Sequence, residues 1–342
     1  MPIPIIFAAV ALSLLCGTAA RAEAVVDRVK RNLVVRCSID MTPGFSGVDA
    51  TGRAHGFDVD VCRAVAAAVL GSADAIDLVR VNTANKFKAL TNGETDVALG
   101  MTTWTMGRDT GLGVTFPGVY YFDGQSFMAW RDTGLTRLDQ VAGRRICVQS
   151  GTTSLANLTG HLRVLGITAR IVESSSSDEK FRRFAARDCD LVTGDRAELA
   201  ARRSTMIGGR DDLVLFSDTI SREPLGPVVA DGDPQWQRIV RWVLLATIVA
   251  EHKQVTAVAA RSMDPQTAAG IADREVRRLL GGDPDAGKGL GLDGQWAQRT
   301  IAAVGNYAEM FDRNLGSGSG IGLERGLNAL WVDGGLHYAP PF

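Results

Sequence analysis

The sequence predicts an α/β protein of two lobes, and three observations carry that prediction. Strand-like and helix-like segments alternate, which implies a largely parallel sheet. The alternation lapses and then restarts at Arg145, marking a second α/β unit. Two extended stretches containing Gly and Pro, Thr115 to Gly124 and Ser221 to Asp231, bracket that second unit as crossings between lobes. At 342 residues the chain also exceeds what one small core serves.

Taken in order, Ile3 to Leu15 is almost wholly apolar and is followed by Ala20-Arg21-Ala22, small residues at alternating positions. This reads as a secretory leader, residues 1–22. A lipid anchor at Cys16 is the poorer reading, because Leu14 and Leu15 stand where small residues belong. Leu33 to Ile39 reads as a buried strand. Asp58 caps a helix with Val59, Cys62, Val65, Ala66 and Val69 at helical spacing, ended by Gly71. Ile76 to Val81 is a strand, Asn85 to Thr91 a short helix and Asp96 to Gly100 a third strand.

In the second unit Arg145 to Gln149 is a strand, and Leu155, Leu158, Leu162 and Leu165 stripe a helix that Gly166 ends. Ala169 to Val172 is the next strand. Ser176-Ser177-Asp178-Glu179 has capping-box spacing ahead of Phe181 and Phe184. Cys189 to Thr193 and Leu213 to Phe216 complete the unit. After the second crossing, Asp233-Pro234 starts a helix that runs to about Glu251 and packs back on the first unit. The boundaries expected are therefore 23–122 with 222–342 for lobe one, including a C-terminal extension, and 123–221 for lobe two. Gly316 to Gly320 reads as a flexible loop, and Trp331, Tyr338 and Phe342 as a tied-down end.

Composition excludes several functions. Basic and acidic residues number 37 and 38, so the chain has no electrostatic footprint for nucleic acid. Trp242 to Ala250 is too short to span a membrane. Four cysteines outlast the leader: Cys37, Cys62, Cys147 and Cys189. An even number in an exported chain suggests disulfides. Of three pairings, Cys37 with Cys62 and Cys147 with Cys189 are favoured, because each joins a strand to a nearby element of its own lobe; four buried thiols are the alternative. No Cys-x-x-Cys occurs and the four histidines are scattered, so neither a metal nor a cofactor is expected.

Three loops at the carboxyl ends of predicted strands, where open α/β sheets bind ligands, suit a small zwitterion such as an amino acid. Arg108 can grip a carboxylate with two parallel N–H groups, or merely pair with Asp109. Ser150-Gly151-Thr152-Thr153 opens a helix whose free N–H groups attract an anion, or whose threonines simply cap it. Asp195 can accept from an ammonium, or cap the helix that follows.

From Arg31 to Phe342 the chain resembles the periplasmic substrate-binding subunit of the general L-amino-acid ABC importer, within the polar amino-acid binding proteins. The resemblance rests on Pro43-Gly44-Phe45-Ser46, the run from Gly56-Phe57-Asp58 to Val69, Thr102-Thr103-Trp104-Thr105, Val148-Gln149-Ser150-Gly151-Thr152-Thr153, and Glu223-Pro224-Leu225-Gly226-Pro227. The end, from Gly322-Leu323-Glu324-Arg325 through Tyr338-Ala339-Pro340-Pro341-Phe342, carries it further.

It implies a type II periplasmic-binding-protein fold, each lobe a mixed sheet flanked by helices, with two hinge crossings and closure around the ligand. It also implies that Arg108, Thr103, Thr152 and Thr153 hold an α-carboxylate, while Asp195 and backbone near Met101 hold the α-ammonium. The implied partners are an inner-membrane ABC permease and its ATPase, the implied location is the periplasm, and the protein is expected to be a monomer.

The sequence departs from the family at Met101, usually polar, and at Ile39-Asp40-Met41, usually small and polar. Thr42 and Thr83 stand where narrower relatives place aromatic rings, so a roomy pocket is expected, with Asp40 adding a preference for a cationic side chain. Trp104 lines the pocket or only seals the lobe. The same fold carries periplasmic dehydratases, but no His falls in a predicted ligand loop and no nucleophile has an adjacent base, which argues against an enzyme. A soluble sensor for a membrane receptor is the other alternative.

Overall fold

The computed structural model describes residues 23–342, so the leader expected at 1–22 lies outside the described residues. The chain enters through a helix the sequence reading did not anticipate, α1 (Val25–Asn32), which buries Val26 and Val29 and ends at Leu33 in the left-handed region. The first strand consequently starts two residues later than expected, as β1 (Val35–Ile39). In α2 (Phe57–Leu70), Asp58 is not the cap but lies in the first turn; Gly56 precedes the helix because a side chain there would collide with the Phe45 carbonyl.

β2 (Ile76–Arg80), α3 (Lys86–Thr91) and β3 (Val97–Ala98) follow. They give a parallel sheet in the order β2-β1-β3. β3 is shorter than the expected Asp96 to Gly100, because Gly100 and Met101 both take positive φ and leave the ladder. After α4 (Met106–Gly111) the chain crosses through β4 (Val114–Thr115) and β5 (Tyr121–Asp123).

The second sheet opens with a strand that sequence reading missed, β6 (Gln125–Trp130). Then come β7 (Arg145–Gln149), α5 (Thr153–Leu165), β8 (Arg170–Ser174), α6 (Ser177–Ala185), β9 (Leu191–Asp195), α7 (Arg196–Thr205) and β10 (Leu213–Leu215). The sheet order is β8-β7-β9-β6-β10, with β6 antiparallel to both of its neighbours. The expected capping box is half formed. Ser176 accepts from the Glu179 N–H, but the Glu179 carboxylate reaches Ser175 instead of the cap residue.

The chain returns through β11 (Glu223–Leu225), antiparallel to β5, and β12 (Val229–Ala230), antiparallel to β4. In α8 (Pro234–His252), Asp233 caps the first turn by accepting from the Trp236 N–H at 2.8 Å. Ile239, Val240, Val243 and Leu244 of that helix join the large core around β1 and α2, as expected. No helix among the described residues is long and apolar enough to cross a membrane.

The C-terminal region adds α9 (Trp296–Val304), which packs along α2, and α10 (Tyr307–Asn314). Gly316 to Gly320 is a short 3-10 turn rather than a loose loop, pinned to Asp312 by the Ser317 hydroxyl and the Gly318 N–H. The aromatic end is docked: Phe342 packs against Trp242 and Trp296, and Trp331 against Tyr338.

Two disulfides join Cys37 to Cys62 and Cys147 to Cys189, each staying within one sheet-and-helix unit. They close spans of 25 and 42 residues, for which loss of unfolded-chain entropy corresponds to about 3 to 4 kcal/mol each. Replacing Cys147 and Cys189 together by Ala is expected to lower the unfolding free energy by about 2 to 4 kcal/mol in urea titrations; a loss below about 1 kcal/mol would show that the bridge only decorates a site already set by packing.

Candidate functional site

A cavity of about 530 Å³, part of it open to solvent, lies between the two sheets. Its walls are the segments that leave the carboxyl ends of β1, β3, β7 and β9, the position expected of a ligand site in such sheets. The walls touch across it. The Thr103 and Thr153 hydroxyls are 3.5 Å apart, and the Gln149 amide donates to Thr83 at 3.3 Å.

Arg108 extends from α4, whose first turn is capped by Thr105. Its guanidinium donates to the Thr103 carbonyl at 2.8 Å and lies over the Phe87 ring at 5.4 Å. It makes no ion pair among the described residues. Burial lowers its pKa, opposed by Glu223 and Asp195. Thr152 caps α5 by accepting from the Leu155 N–H, and Thr153 donates to Glu223 at 3.3 Å.

Asp195 ends β9, paired in register with Gln125, and its side chain does not cap α7. Burial, reinforced by Asp123, Glu223 and Glu198 and opposed by Lys180, pushes its carboxyl well above the ordinary range. Asp40, at the end of β1, also accepts no side-chain hydrogen bond among the described residues, and burial raises its pKa against the pull of Lys86. Met101 lines the cavity with φ of 49°, a left-handed conformation that costs roughly 1 to 2 kcal/mol for a residue with a Cβ.

Of the expected residues, the fold brings Asp40, Met101, Thr103, Arg108, Thr152, Thr153 and Asp195 together around one cavity. Trp104 is elsewhere: 39% exposed, it stacks on Phe116 with centroids 5.8 Å apart. Thr42 and Thr83 both line the cavity, whose wall also carries charged side chains.

Three charged residues on the wall escaped the sequence reading: Lys86, Lys180 and Glu198. Lys86 donates to the Gly100 carbonyl at 2.7 Å and the Thr102 hydroxyl at 3.0 Å, and burial lowers its pKa to about 8. Lys180 of α6 and Glu198 of α7 form a buried pair at 2.7 Å, with the Ser177 hydroxyl also donating to Glu198. Burial alone would raise the Glu198 pKa; Lys180 and Ser177 more than reverse it. Gly194 makes room for this pair, since a Cβ there would lie 2.6 Å from the Glu198 carboxylate and 2.8 Å from the Lys180 ammonium. No local pattern announces a pair contributed by two separate helices. Among the described residues no group of His, Cys, Asp and Glu is arranged to hold a metal.

The family model described as bacterial extracellular solute-binding proteins, family 3, matches residues 35–273. The glutamate/glutamine/aspartate/asparagine-binding protein BztA of Rhodobacter capsulatus is 42% identical over 336 residues, 98% of each chain. The general L-amino acid-binding periplasmic protein AapJ of Rhizobium johnstonii is 38% identical over 328 residues, 95% of this chain and 94% of that one. Among solved structures, an ABC transporter periplasmic binding protein from Brucella ovis with glutathione bound superposes with a TM-score of 0.89 at 36% identity, covering 93% of this chain and 99% of that one.

Beneath the cavity floor, Asp58 is fully buried and accepts from the Gly100 N–H at 3.1 Å; its second oxygen lies beside the Tyr120 hydroxyl. Burial, only partly offset by Tyr120 and Lys86, pushes its pKa to about 7. In the unfolded chain the same carboxyl ionises near 3.8, so between about pH 4 and 7 the folded state holds a proton that the unfolded state has lost. Stability contributed by this group therefore falls as pH rises through that window. Asp58→Asn is expected to flatten the dependence of urea-unfolding free energy on pH between 4 and 7, and curves that stay parallel to those of the unmodified protein would refute the assignment.

Proposed function

The chain belongs to the bacterial extracellular solute-binding proteins, family 3, and from that premise we propose that its cavity takes a free L-amino acid, with Arg108 on the α-carboxylate and Asp195 on the α-ammonium. The protein is a periplasmic, non-catalytic binding protein that works with an ABC permease. One observation carries the ligand assignment: a half-buried guanidinium and a half-buried carboxylate, neither in an ion pair among the described residues, face one cavity from opposite lobes. Thr103, Thr152 and Thr153 supply further hydrogen bonds to the carboxylate, and the backbone at Met101 lies on the ammonium side. Lobe one comprises 23–122 and 222–342 and lobe two 123–221, so that closure joins the two halves of the site. A monomer delivers the ligand to a permease powered by an ATPase.

The side-chain end of the cavity adds selectivity. Its wall carries three carboxylates, Asp40, Asp195 and Glu198, and three cations, Lys86, Arg108 and Lys180. Such a wall is balanced for a ligand of zero net charge. Asp40 is a free acceptor, and the Lys180 ammonium has a third N–H beyond those directed at Glu198 and Thr193. An uncharged side chain that both donates and accepts, a carboxamide above all, satisfies both. BztA of Rhodobacter capsulatus is described as binding two amides and two acids, and AapJ as general; this chain is read as favouring the amides.

Calorimetric titration of the refolded, ligand-free protein against common L-amino acids is expected to rank glutamine and asparagine above lysine and arginine. Arg108→Ala and Asp195→Ala should each weaken binding at least about 100-fold without unfolding the protein, given about 1.5 to 3 kcal/mol for each charge-assisted bond lost. Ordinary affinity in either folded variant would remove that residue from the site.

A further inference from the structure

A second cavity, about 1430 Å³ and open to solvent, lies between α7 and the C-terminal segment 321–328. α7 thus has two working faces. Glu198 turns to the amino-acid cleft, whereas Arg196, Ala200 and Arg203 turn to this second cavity. Arg222, at the edge of a crossing strand, joins them there. None of these three arginines forms an ion pair among the described residues.

Their commitments within the protein are few. Arg196 gives one N–H to the Phe216 carbonyl at 2.8 Å. The Arg203 side chain makes no hydrogen bond among the described residues, and its Nε is buried without a partner there. Burial, followed by repulsion from Arg210, Arg196 and Arg131, holds its guanidinium below the usual arginine range. The two acids on the wall form no ion pair with these arginines among the described residues, although Asp123 feels the charge of Arg196. Asp123 accepts from the Gly124 and Ala197 N–H groups, and Glu324 is exposed. Neighbouring Arg325 is already paired with Glu251 at 2.9 Å.

We propose that this cavity is a second ligand site, for a small organic polyanion whose carboxylates meet Arg196, Arg203 and Arg222 while Leu215 and Leu323 cover its carbon frame. Guanidinium groups bind carboxylates with paired N–H groups, and three of them without an acid partner around one cavity suit a multivalent anion. The walls come from both lobes: Leu215 ends β10 of the second sheet, Arg196 and Arg203 lie on α7, and Leu323 sits on the extension packed into the first core. A bound anion therefore favours the lobe arrangement that brings Thr103 to Thr153, and cleft ligand and anion tighten each other's binding. This coupling, unlike the site itself, rests on the amino-acid reading of the cleft.

Citrate is the probe. Calorimetry and thermal-shift measurements at matched ionic strength should show saturable one-to-one binding to the full mature protein and equally to Arg108→Ala, whose cleft is disabled. Arg203→Gln and Arg222→Gln should each weaken citrate at least tenfold while leaving the melting temperature without citrate unchanged. Three results would overturn the site: effects of citrate no larger than those of chloride, equal binding to the Arg203→Gln and Arg222→Gln variants, or loss of citrate binding in Arg108→Ala, which would place the anion in the cleft. Citrate binding that leaves amino-acid affinity unchanged would overturn the coupling alone.

Discussion

A carboxylate drawn out of water without a partner destabilises a fold unless it is neutralised, and Asp195, half-buried on the cavity wall with no side-chain hydrogen bond among the described residues, is held there by structure on both sides. β9, which it ends, is bonded to β7 on one edge and β6 on the other. The Thr193 hydroxyl two residues earlier donates to the Ser126 carbonyl at 2.7 Å, and the Gln125 amide donates to Thr193 at 2.9 Å. On the other side the Arg196 and Ala197 N–H groups are bound to Gly124 and Asp123. These backbone bonds fix where the carboxylate meets the cavity, and burial without a partner raises its pKa. An ammonium placed there, as proposed above, supplies the charge that the surrounding acids leave unmatched.

The same ladder explains why α7 matters to both lobes. Its Ala197, Ala200 and Ala201 enter the large core built on β1, α2 and α8, although the helix follows directly from the second sheet. Arg202 donates to Asp178 at 2.7 Å within its own unit and to the Met41 carbonyl at 3.3 Å across the cleft mouth. The small side chains at this contact and the paired strands β5 and β11 beside it are the features that the hinged closure expected of this fold requires.

Periodicity and turn chemistry made most of the elements legible. The alternation of β and α, the capped start of α8 and the crossing stretches all lie close to where the residues place them, because each rests on local spacing. β6 was hidden between a crossing and a turn: Gln125 and Ser126 are wholly buried yet polar, and their burial is made possible by bonds to Thr193, Ser154, Phe216 and Asp218 that no local pattern reveals. At the site, Arg108, Thr152, Thr153 and Asp195 follow strand ends and could be found from position. Nothing local marks Lys86 or Lys180, and only the tertiary fold shows that each is buried against carbonyls or a carboxylate. Trp104 shows the opposite failure, an aromatic adjacent to site residues whose partner, Phe116, lies outside the cleft.

Ion pairs and threonines in place of aromatic rings change the basis of recognition. Rings select by shape and stack on many side chains, whereas buried charges select by balance. With Lys180 matched by Glu198, and Lys86 beside Asp40, an added net charge on the ligand leaves one desolvated charge uncompensated, a penalty on the order of several kcal/mol in a site of low dielectric. On the proposed reading a neutral zwitterion of variable length incurs no such penalty, since the wall offers both a donor and an acceptor. Breadth among uncharged polar ligands and rejection of charged ones then follow from that reading, and Gly194 is what allows the Lys180–Glu198 pair to sit against the strand.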